Sequence, residues 1–213
     1  MSDSQLSTPE PIPEAHSASA PARKRPKPGE RRVQILQALA TMLEQPGAER
    51  ITTAALAARL EVSEAALYRH FASKAQMFEG LIEFIEQSVF TLVNQITERE
   101  STGSAQAAKV VTMLLQFAEK NPGMTRVMVG DALVFENERL QQRMNQFFDK
   151  IESTVKQSLR TGAEGDAATP SADAQVKASM LTSFAVGRLQ RFARSGFRRM
   201  PSEHLEASLA LML

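Results

Sequence analysis

The stretch 51–71, ITTAALAARLEVSEAALYRHF, constrains the fold of this chain most strongly. A hydroxyl residue that can cap a helix stands at the start of each half: Thr52 or Thr53 in the first and Ser63 in the second. Glu64 follows where a carboxylate stabilises the positive end of a helix. The stretch therefore predicts two short helices joined by a tight turn.

The second of these helices has an unusual outward face. It carries short, hydroxyl-bearing and cationic side chains, namely Ala65, Tyr68, Arg69 and His70, in place of the mixed charges of a solvated helix. A helix of this kind, braced by a preceding one, is typical of the helix-turn-helix that enters the major groove of DNA. We therefore expect the chain to bind double-stranded DNA.

The distribution of charge supports this expectation. The chain has 213 residues and a formal net charge of only +1. Residues 23–74, however, hold ten Lys or Arg against five Asp or Glu, while the remainder holds fifteen against nineteen. A basic segment over the predicted helix-turn-helix favours phosphate contacts, and an acidic remainder is typical of a domain that faces proteins.

Several other classes of protein are disfavoured. The chain has no cysteine, which excludes a disulfide framework, a thiolate metal site and a cysteine nucleophile. No apolar run has the length of a membrane span, and no signal-peptide core is evident, so we expect a cytoplasmic protein. Phosphate-binding loops, zinc-protease motifs and nucleophile elbows are also missing from the sequence. We expect no enzymatic activity, no cofactor and no metal site.

We predict three regions along the chain. Residues 1–28 hold six of the ten prolines and no periodic apolar face, so we expect a disordered tail. Its basic end is either a solubilising segment or a flexible arm that adds phosphate contacts. Residues 29–74 should form a three-helix DNA-binding domain, whose first helix ends at Pro46-Gly47. Residues 75–213 should form a helical dimerisation and partner-binding domain.

Hydrophobic periodicity predicts an all-α fold, because no convincing two-residue alternation is present. In the C-terminal region we predict a long helix opened by a capping box, and then five more helices. The capping box is Ser73 with Gln76. Of the five later helices, the first ends near Lys120 and the second runs from Asn121-Pro122 toward Phe135. The third spans Arg139–Arg160, the fourth spans Ser171–Ser195, and the last begins at Pro201. The helix 173–195 mixes small and bulky residues, as either ordinary core or a homodimer seam does.

The run LYRHF at residues 67–71, followed by Ser73 and Lys74, resembles the DNA-binding domain of the TetR family. The resemblance implies that Tyr68, His70 and Lys74 contact DNA phosphates and that Phe71 packs into the three-helix core.

Other residues of this segment are candidates for DNA contact on chemical grounds. Arg69 can pair with a phosphate or with guanine, and the sequence leaves both open. Thr52, Thr53 and Ser63 are small enough to approach bases or backbone, and capping and DNA contact are equally favoured for Thr52 and Ser63. The methyl group of Ala65 can meet a thymine methyl.

A longer resemblance covers most of the chain from Arg31 onward. The runs MFEGLIEFIEQS, NPGMTRVMVGDALVFENERLQQRMNQFF and RFARSGFRRMP resemble the SlmA family of nucleoid occlusion factors. This resemblance implies a homodimer that binds a palindromic chromosomal site. It also implies that the DNA-bound protein binds FtsZ and disrupts its polymers over the nucleoid. By the same resemblance Phe84, Lys120 and Asn121 belong to the FtsZ-facing surface, although Phe84 could instead cover a neighbouring helix.

Two other functions remain open. An ordinary TetR-type repressor would bind a small molecule in an apolar pocket of the second domain and release its operator. The scarcity of groups that converge on a ligand disfavours it, since Tyr68 is the only tyrosine and tryptophan is absent. A structural nucleoid protein without a switch is the more remote alternative. Arg188, Arg191 and Arg194 share a helical face that is either solvated or a patch for an acidic partner.

Overall fold

The computed structural model describes residues 29–45, 50–161 and 171–213. Every regular element in these ranges is helical, as predicted for an all-α fold. The predicted disordered tail lies outside the described residues, as does Pro46-Gly47, which was predicted to end the first helix. The helices are α1 (Glu30–Leu43), α2 (Thr53–Arg59), α3 (Glu64–Tyr68), α4 (Lys74–Arg99), α5 (Gly103–Lys120), α6 (Pro122–Met128), α7 (Glu138–Thr161), α8 (Ser171–Arg194) and α9 (Leu205–Met212).

The two short helices α2 and α3 begin where the hydroxyl residues predict. The Thr52 hydroxyl accepts a hydrogen bond from the amide of Ala55, and the Ser63 hydroxyl accepts one from the amide of Ala66. The turn between them contains Glu61 in the left-handed region, with a φ of 53°. A side chain with a Cβ adopts this conformation at a free-energy cost, and the sequence offered no sign of it.

The capping box of α4 is formed with a one-residue shift. The Ser73 hydroxyl accepts from the amide of Gln76, as predicted. The Gln76 side chain, however, accepts from the amide of Ala72 at 2.9 Å, one residue earlier than in the standard box.

The long helices form the scaffold behind this pair. α7 packs against α5 and α8, while α4 packs against α1, α5 and α7. Each long helix contributes an apolar stripe to one continuous core, which for α4 runs from Met77 to Val93. Burial of such a stripe is the main source of stability for helices of this length.

Two predicted helix boundaries are wrong. The helix that begins at Pro122 was expected to reach Phe135 but ends at Met128, because Gly130 adopts a left-handed φ of 84°. A short 3-10 turn, Asp131–Leu133, follows. The last helix begins at Leu205 and not at Pro201, since the intervening residues form turns.

α1 and α6 make an unusually close contact. A Cβ built on Gly123 would lie only 1.9 Å from the carbonyl oxygen of Ala40. No other residue type fits here without moving one helix, so this glycine sets how closely the N-terminal helices approach the scaffold.

Candidate nucleic-acid interface

Most of the predicted DNA-contacting residues lie together on the exposed side of α2 and α3. Tyr68 is 45% exposed, Thr53 is half-buried, and the remainder are exposed: Thr52, Ser63, Ala65, Arg69 and His70. The inward residue of α3, Leu67, is buried, as is Phe71. We call this exposed set, residues 52–70 with their outward side chains, the recognition surface.

Thr53 joins the two short helices through its side chain. Its hydroxyl donates to Glu64 Oε2 at 2.5 Å and accepts from the Tyr68 hydroxyl at 3.4 Å. The proton of Thr53 is therefore engaged within the protein, whereas Thr52 and Ser63 use only their acceptor side for capping. Sequence reasoning placed Glu64 solely at the helix dipole and missed this link, which spans eleven residues and follows no local spacing rule.

Arg32 braces the end of α3 from α1. Its Nη1 donates to the carbonyl oxygen of His70 at 2.5 Å, and its guanidinium lies 4.1 Å from the centroid of the Phe71 ring. In the sequence Arg32 only follows the basic end of the predicted tail, without a role of its own. The structure places it inside the three-helix unit, where it holds His70 and Phe71 in place.

Lys74 differs from the candidates on α2 and α3 because its side-chain partner lies outside the helix-turn-helix. Its Nζ lies 2.5 Å from Glu136 Oε1, and the two side chains are 29% and 10% exposed. The ammonium also lies 5.7 Å from the centroid of the Phe78 ring. No sequence spacing rule links Lys74 to Glu136, which stands 62 residues later.

The candidates for a protein-facing surface lie on neighbouring helices of the scaffold. Phe84 on α4 is 48% exposed, so a neighbouring helix does not fully cover it. Lys120 ends α5 and is exposed. Asn121 occupies the N-cap position of α6, but its side chain donates to the carbonyl oxygen of Phe117 and does not cap the helix.

The predicted arginine face of α8 divides into two parts. Arg188 donates to the carbonyl oxygen of Glu203 at 2.9 Å and lies 4.9 Å from the centroid of the Phe184 ring. It therefore fixes the segment before α9, while Arg191 and Arg194 are exposed.

Ion pairs join α4 to α7 along the scaffold. Arg143 donates to both carboxylate oxygens of Glu86, at 3.1 and 2.5 Å. The hydrogen bond to Glu86 raises the pKa of Arg143 above its ordinary value, against the opposing effect of burial. Arg139 pairs with Glu79, nearer to the N-terminal ends of α7 and α4.

Two absences concern the residues that the structure describes, 29–45, 50–161 and 171–213. Among them, no group of His, Asp or Glu side chains is arranged to hold a metal ion. None of the helices in the same ranges is long and apolar enough to cross a membrane.

Two family models match parts of this chain. Residues 35–81 match the model described as bacterial regulatory proteins, tetR family. Residues 104–213 match an SlmA-like model described as tetracyclin repressor-like, C-terminal domain.

The curated relatives extend this match over nearly the whole chain. The nucleoid occlusion factor SlmA of Idiomarina loihiensis is 51% identical over 182 residues, covering 85% of this chain and 93% of that protein. The SlmA of Alteromonas mediterranea is 49% identical, with coverage of 84% and 92%. That of Vibrio cholerae is also 49% identical, with coverage of 85% and 93%.

Solved structures agree on the fold. A TetR-family regulator from Bordetella parapertussis superposes with a TM-score of 0.67 at 17% identity, covering 87% of this chain and 95% of that one. A TetR-like regulator from Rhodococcus gives 0.68 at 18% identity, with coverage of 88% and 97%. At such low identity these structures show the fold alone, but the curated relatives are specific: the chain belongs to the TetR family and, within it, to the SlmA family of nucleoid occlusion factors.

Proposed function

We propose that this protein inhibits cell division over the nucleoid. It binds palindromic chromosomal sites as a homodimer, and in the DNA-bound state it binds FtsZ and disrupts its polymers. The observation that carries the proposal is the identity of 49–51% to nucleoid occlusion factors over more than nine-tenths of their length. It acts in the cytoplasm, on the nucleoid, without enzymatic chemistry.

The DNA contacts follow from the recognition surface. Tyr68 and His70 bind phosphates, and Arg69 binds either a phosphate or a guanine edge. The capping hydroxyls of Thr52 and Ser63 act only as acceptors within the protein, so each can donate its proton to the DNA backbone. Thr53 acts through Tyr68 and Glu64, to which it is hydrogen-bonded. Ala65 is small and exposed enough to meet a thymine methyl.

Residues of α8 support the homodimer. Val176 and Met180 are 59% and 46% exposed and stand one turn apart on one helical face. Gly187 lies two turns further along that face, and a Cβ built on it would meet no atom within 4 Å. An exposed apolar face that continues into a small residue is suited to close packing against a second copy of α8.

The dimer is tested by Met180→Glu, which places a charge in this face. We expect the chain to sediment as a monomer and to bind a palindromic duplex much more weakly, because the two half-sites are then bound independently. The matched control is Leu211→Glu on α9, where the same charge enters a side chain that is 90% exposed. A dimeric Met180→Glu variant would exclude this face as the seam.

The FtsZ-facing surface is proposed to include Phe84, Lys120 and Asn121. α4 packs against both α5 and α6, so the three residues lie on adjoining elements. An exposed aromatic ring and an exposed lysine on adjoining helices suit a peptide that carries both apolar and acidic side chains.

The central experiment measures FtsZ polymers by sedimentation. The protein is added with a palindromic duplex, with a scrambled duplex of equal length, or alone. We expect the palindrome to lower the pelleted FtsZ most strongly. Equal pelleting in all three mixtures would contradict a DNA-activated inhibitor.

A ligand-responsive repressor is the competing function, and one cleft bears on it. This cleft, of about 320 Å³, lies between α6, α7 and α8 and is lined by Met128, Met144, Phe148 and Gln190, among others. Its volume is at the lower end for ligand pockets. Genome-wide mapping of bound sites separates the functions: scattered palindromes that avoid the replication terminus support division control, whereas a single promoter supports repression.

A further inference from the structure

The ion pair between Lys74 and Glu136 joins two parts of the protein. Lys74 is the first residue of α4 and lies in the segment 35–81 that matches the DNA-binding family model. Glu136 lies in the segment 104–213 that matches the C-terminal family model. Their side chains meet at 2.5 Å and are only partly exposed to water. A charge that is expected to meet DNA is thus neutralised by the other part of the molecule.

Glu136 is held in position by its own segment, residues 129–137, which we call the connector. The amide of Glu136 donates to the carbonyl oxygen of Leu133, and the Asn137 side chain accepts from the amide of Arg139 at the start of α7. A second contact joins the connector to the DNA-binding segment, since the guanidinium of Arg50 lies 4.9 Å from the centroid of the Phe135 ring. The carboxylate is therefore presented to Lys74 by an ordered piece of the scaffold.

A DNA phosphate and the Glu136 carboxylate are in conflict at this position. Both are anions, and the ammonium of Lys74 cannot contact a phosphate without bringing that phosphate close to Glu136. Like charges at such a separation repel, most strongly where water is partly excluded. Either Lys74 leaves Glu136 when DNA binds, or the complex retains an unfavourable pair of anions.

We propose that Glu136 is an intramolecular competitor of DNA for Lys74 and thereby lowers the affinity of the protein for DNA. This inference rests on the proposed DNA-binding function. Because binding equilibria are reciprocal, DNA that takes Lys74 also frees Glu136 and loosens the connector from α4. Glu136 is an affinity-determining residue of the scaffold, outside the helix-turn-helix.

The test is a double-mutant cycle in DNA affinity, measured on the full chain with a palindromic duplex across a range of salt concentrations. Glu136→Gln removes the charge with little change of shape. We expect binding to tighten by about three- to fivefold at low salt, the range of a partly exposed ion pair. We also expect the dependence of affinity on salt concentration to steepen by up to about one released counterion. The reason is that Lys74 then binds a phosphate without first leaving the Glu136 carboxylate.

The matched control is Glu138→Gln, which removes the same charge from an exposed carboxylate two residues later. It should change affinity far less. In the Lys74→Ala background, Glu136→Gln should add nothing, because the competitor then has no target.

The outcomes separate the inference from the function on which it rests. If the unaltered protein does not bind duplex DNA, the proposed function fails. If it binds but Glu136→Gln and Glu138→Gln have equal effects, or Glu136→Gln tightens binding equally without Lys74, Glu136 acts only through net charge and the inference is wrong. Thermal melting of each variant establishes that all of them are folded.

Discussion

The helix-turn-helix and the scaffold behind it are stabilised in different ways. α2 and α3 have only seven and five residues, and their buried side chains are Leu56, Ala57 and Leu67. Helices this short are not stable by themselves, so they depend on hydroxyl caps and on packing against their neighbours. α4, α7 and α8 have 24 to 26 residues and are stabilised mainly by a buried stripe.

This difference determines where functional residues can be recognised from the sequence. In α3 few positions are needed for burial, so the outward side chains are free to be selected for DNA contact. On the long helices most exposed positions are ordinary solvated residues, and a functional one has no local pattern to mark it. Substitutions should therefore separate stability from binding in the helix-turn-helix more cleanly than in the junction or the scaffold.

The largest effect is expected where the two regions meet. Gly123→Ala forces a Cβ against the carbonyl oxygen of Ala40, and we expect a loss of about 3 kcal/mol in the free energy of unfolding, measured by urea denaturation. Gly130→Ala is the comparison variant, because that glycine has a left-handed φ but open space around it. It should lose only about 1 kcal/mol. A reversed order would show that the α1–α6 contact relaxes easily.

The second prediction separates binding from stability within the recognition surface. Arg69→Ala should weaken binding to a palindromic duplex by about 1–3 kcal/mol without lowering the melting temperature, since Arg69 is exposed. A flatter salt dependence would assign Arg69 to phosphate, and relaxed sequence preference would assign it to guanine. Arg160→Ala, an exposed arginine at the end of α7, controls for net charge. Equal affinity of the Arg69→Ala and Arg160→Ala variants would remove Arg69 from the interface.

The third prediction concerns the ion pairs of the scaffold. Arg143→Met leaves the carboxylate of Glu86 without its two-point partner, and we expect a loss of about 1 kcal/mol in the free energy of unfolding. Arg139→Met should lose less than about 0.5 kcal/mol, because its pair with Glu79 is more exposed. Denaturant midpoints of the two variants measure the difference. Equal losses would mean that burial does not distinguish the two pairs.

The most restricted effect is expected for Phe84→Ala, which should alter partner binding alone. Phe84 is 48% exposed, so the free energy of unfolding and the free energy of DNA binding should each stay within about 0.5 kcal/mol of their values in the unaltered protein. Disruption of FtsZ polymers in the sedimentation assay should nevertheless be lost. The control is Val33→Ala, an apolar side chain on α1 that is 53% exposed. An active Phe84→Ala variant would exclude Phe84 from the partner surface.

The fold was predictable where physical rules act locally. Helix starts at Thr52, Ser63 and Ser73 follow from side chains that satisfy unpaired amides, and the all-α class follows from periodicity. The end of α6 was missed although a local signal for it is present. Gly130 directly follows the C-cap residue Val129, and a glycine in the left-handed conformation at that position commonly ends a helix.

In the candidate site, too, local features were predictable and long-range contacts were not. The outward direction of Tyr68 and Arg69 follows from helical spacing within one short segment. The partners of Thr53, Arg32 and Lys74 lie 11, 38 and 62 residues away in the sequence, and they meet only because of tertiary packing. A spacing rule cannot detect such contacts, so the ion pair of Lys74 was missed although the residue itself was selected.

The charges at the two ends of α3 affect the electrostatic field that this helix presents to DNA. Glu64 occupies its first turn, and the guanidinium of Arg32 donates to the carbonyl oxygen of His70, just past its C-terminal end. Each charge opposes the partial charge of the peptide dipoles at that end, so the helix projects little axial field of its own. The electrostatic attraction of a phosphate to this surface therefore comes from individual side chains. Replacing one charged side chain changes the local potential by nearly that side chain's full contribution.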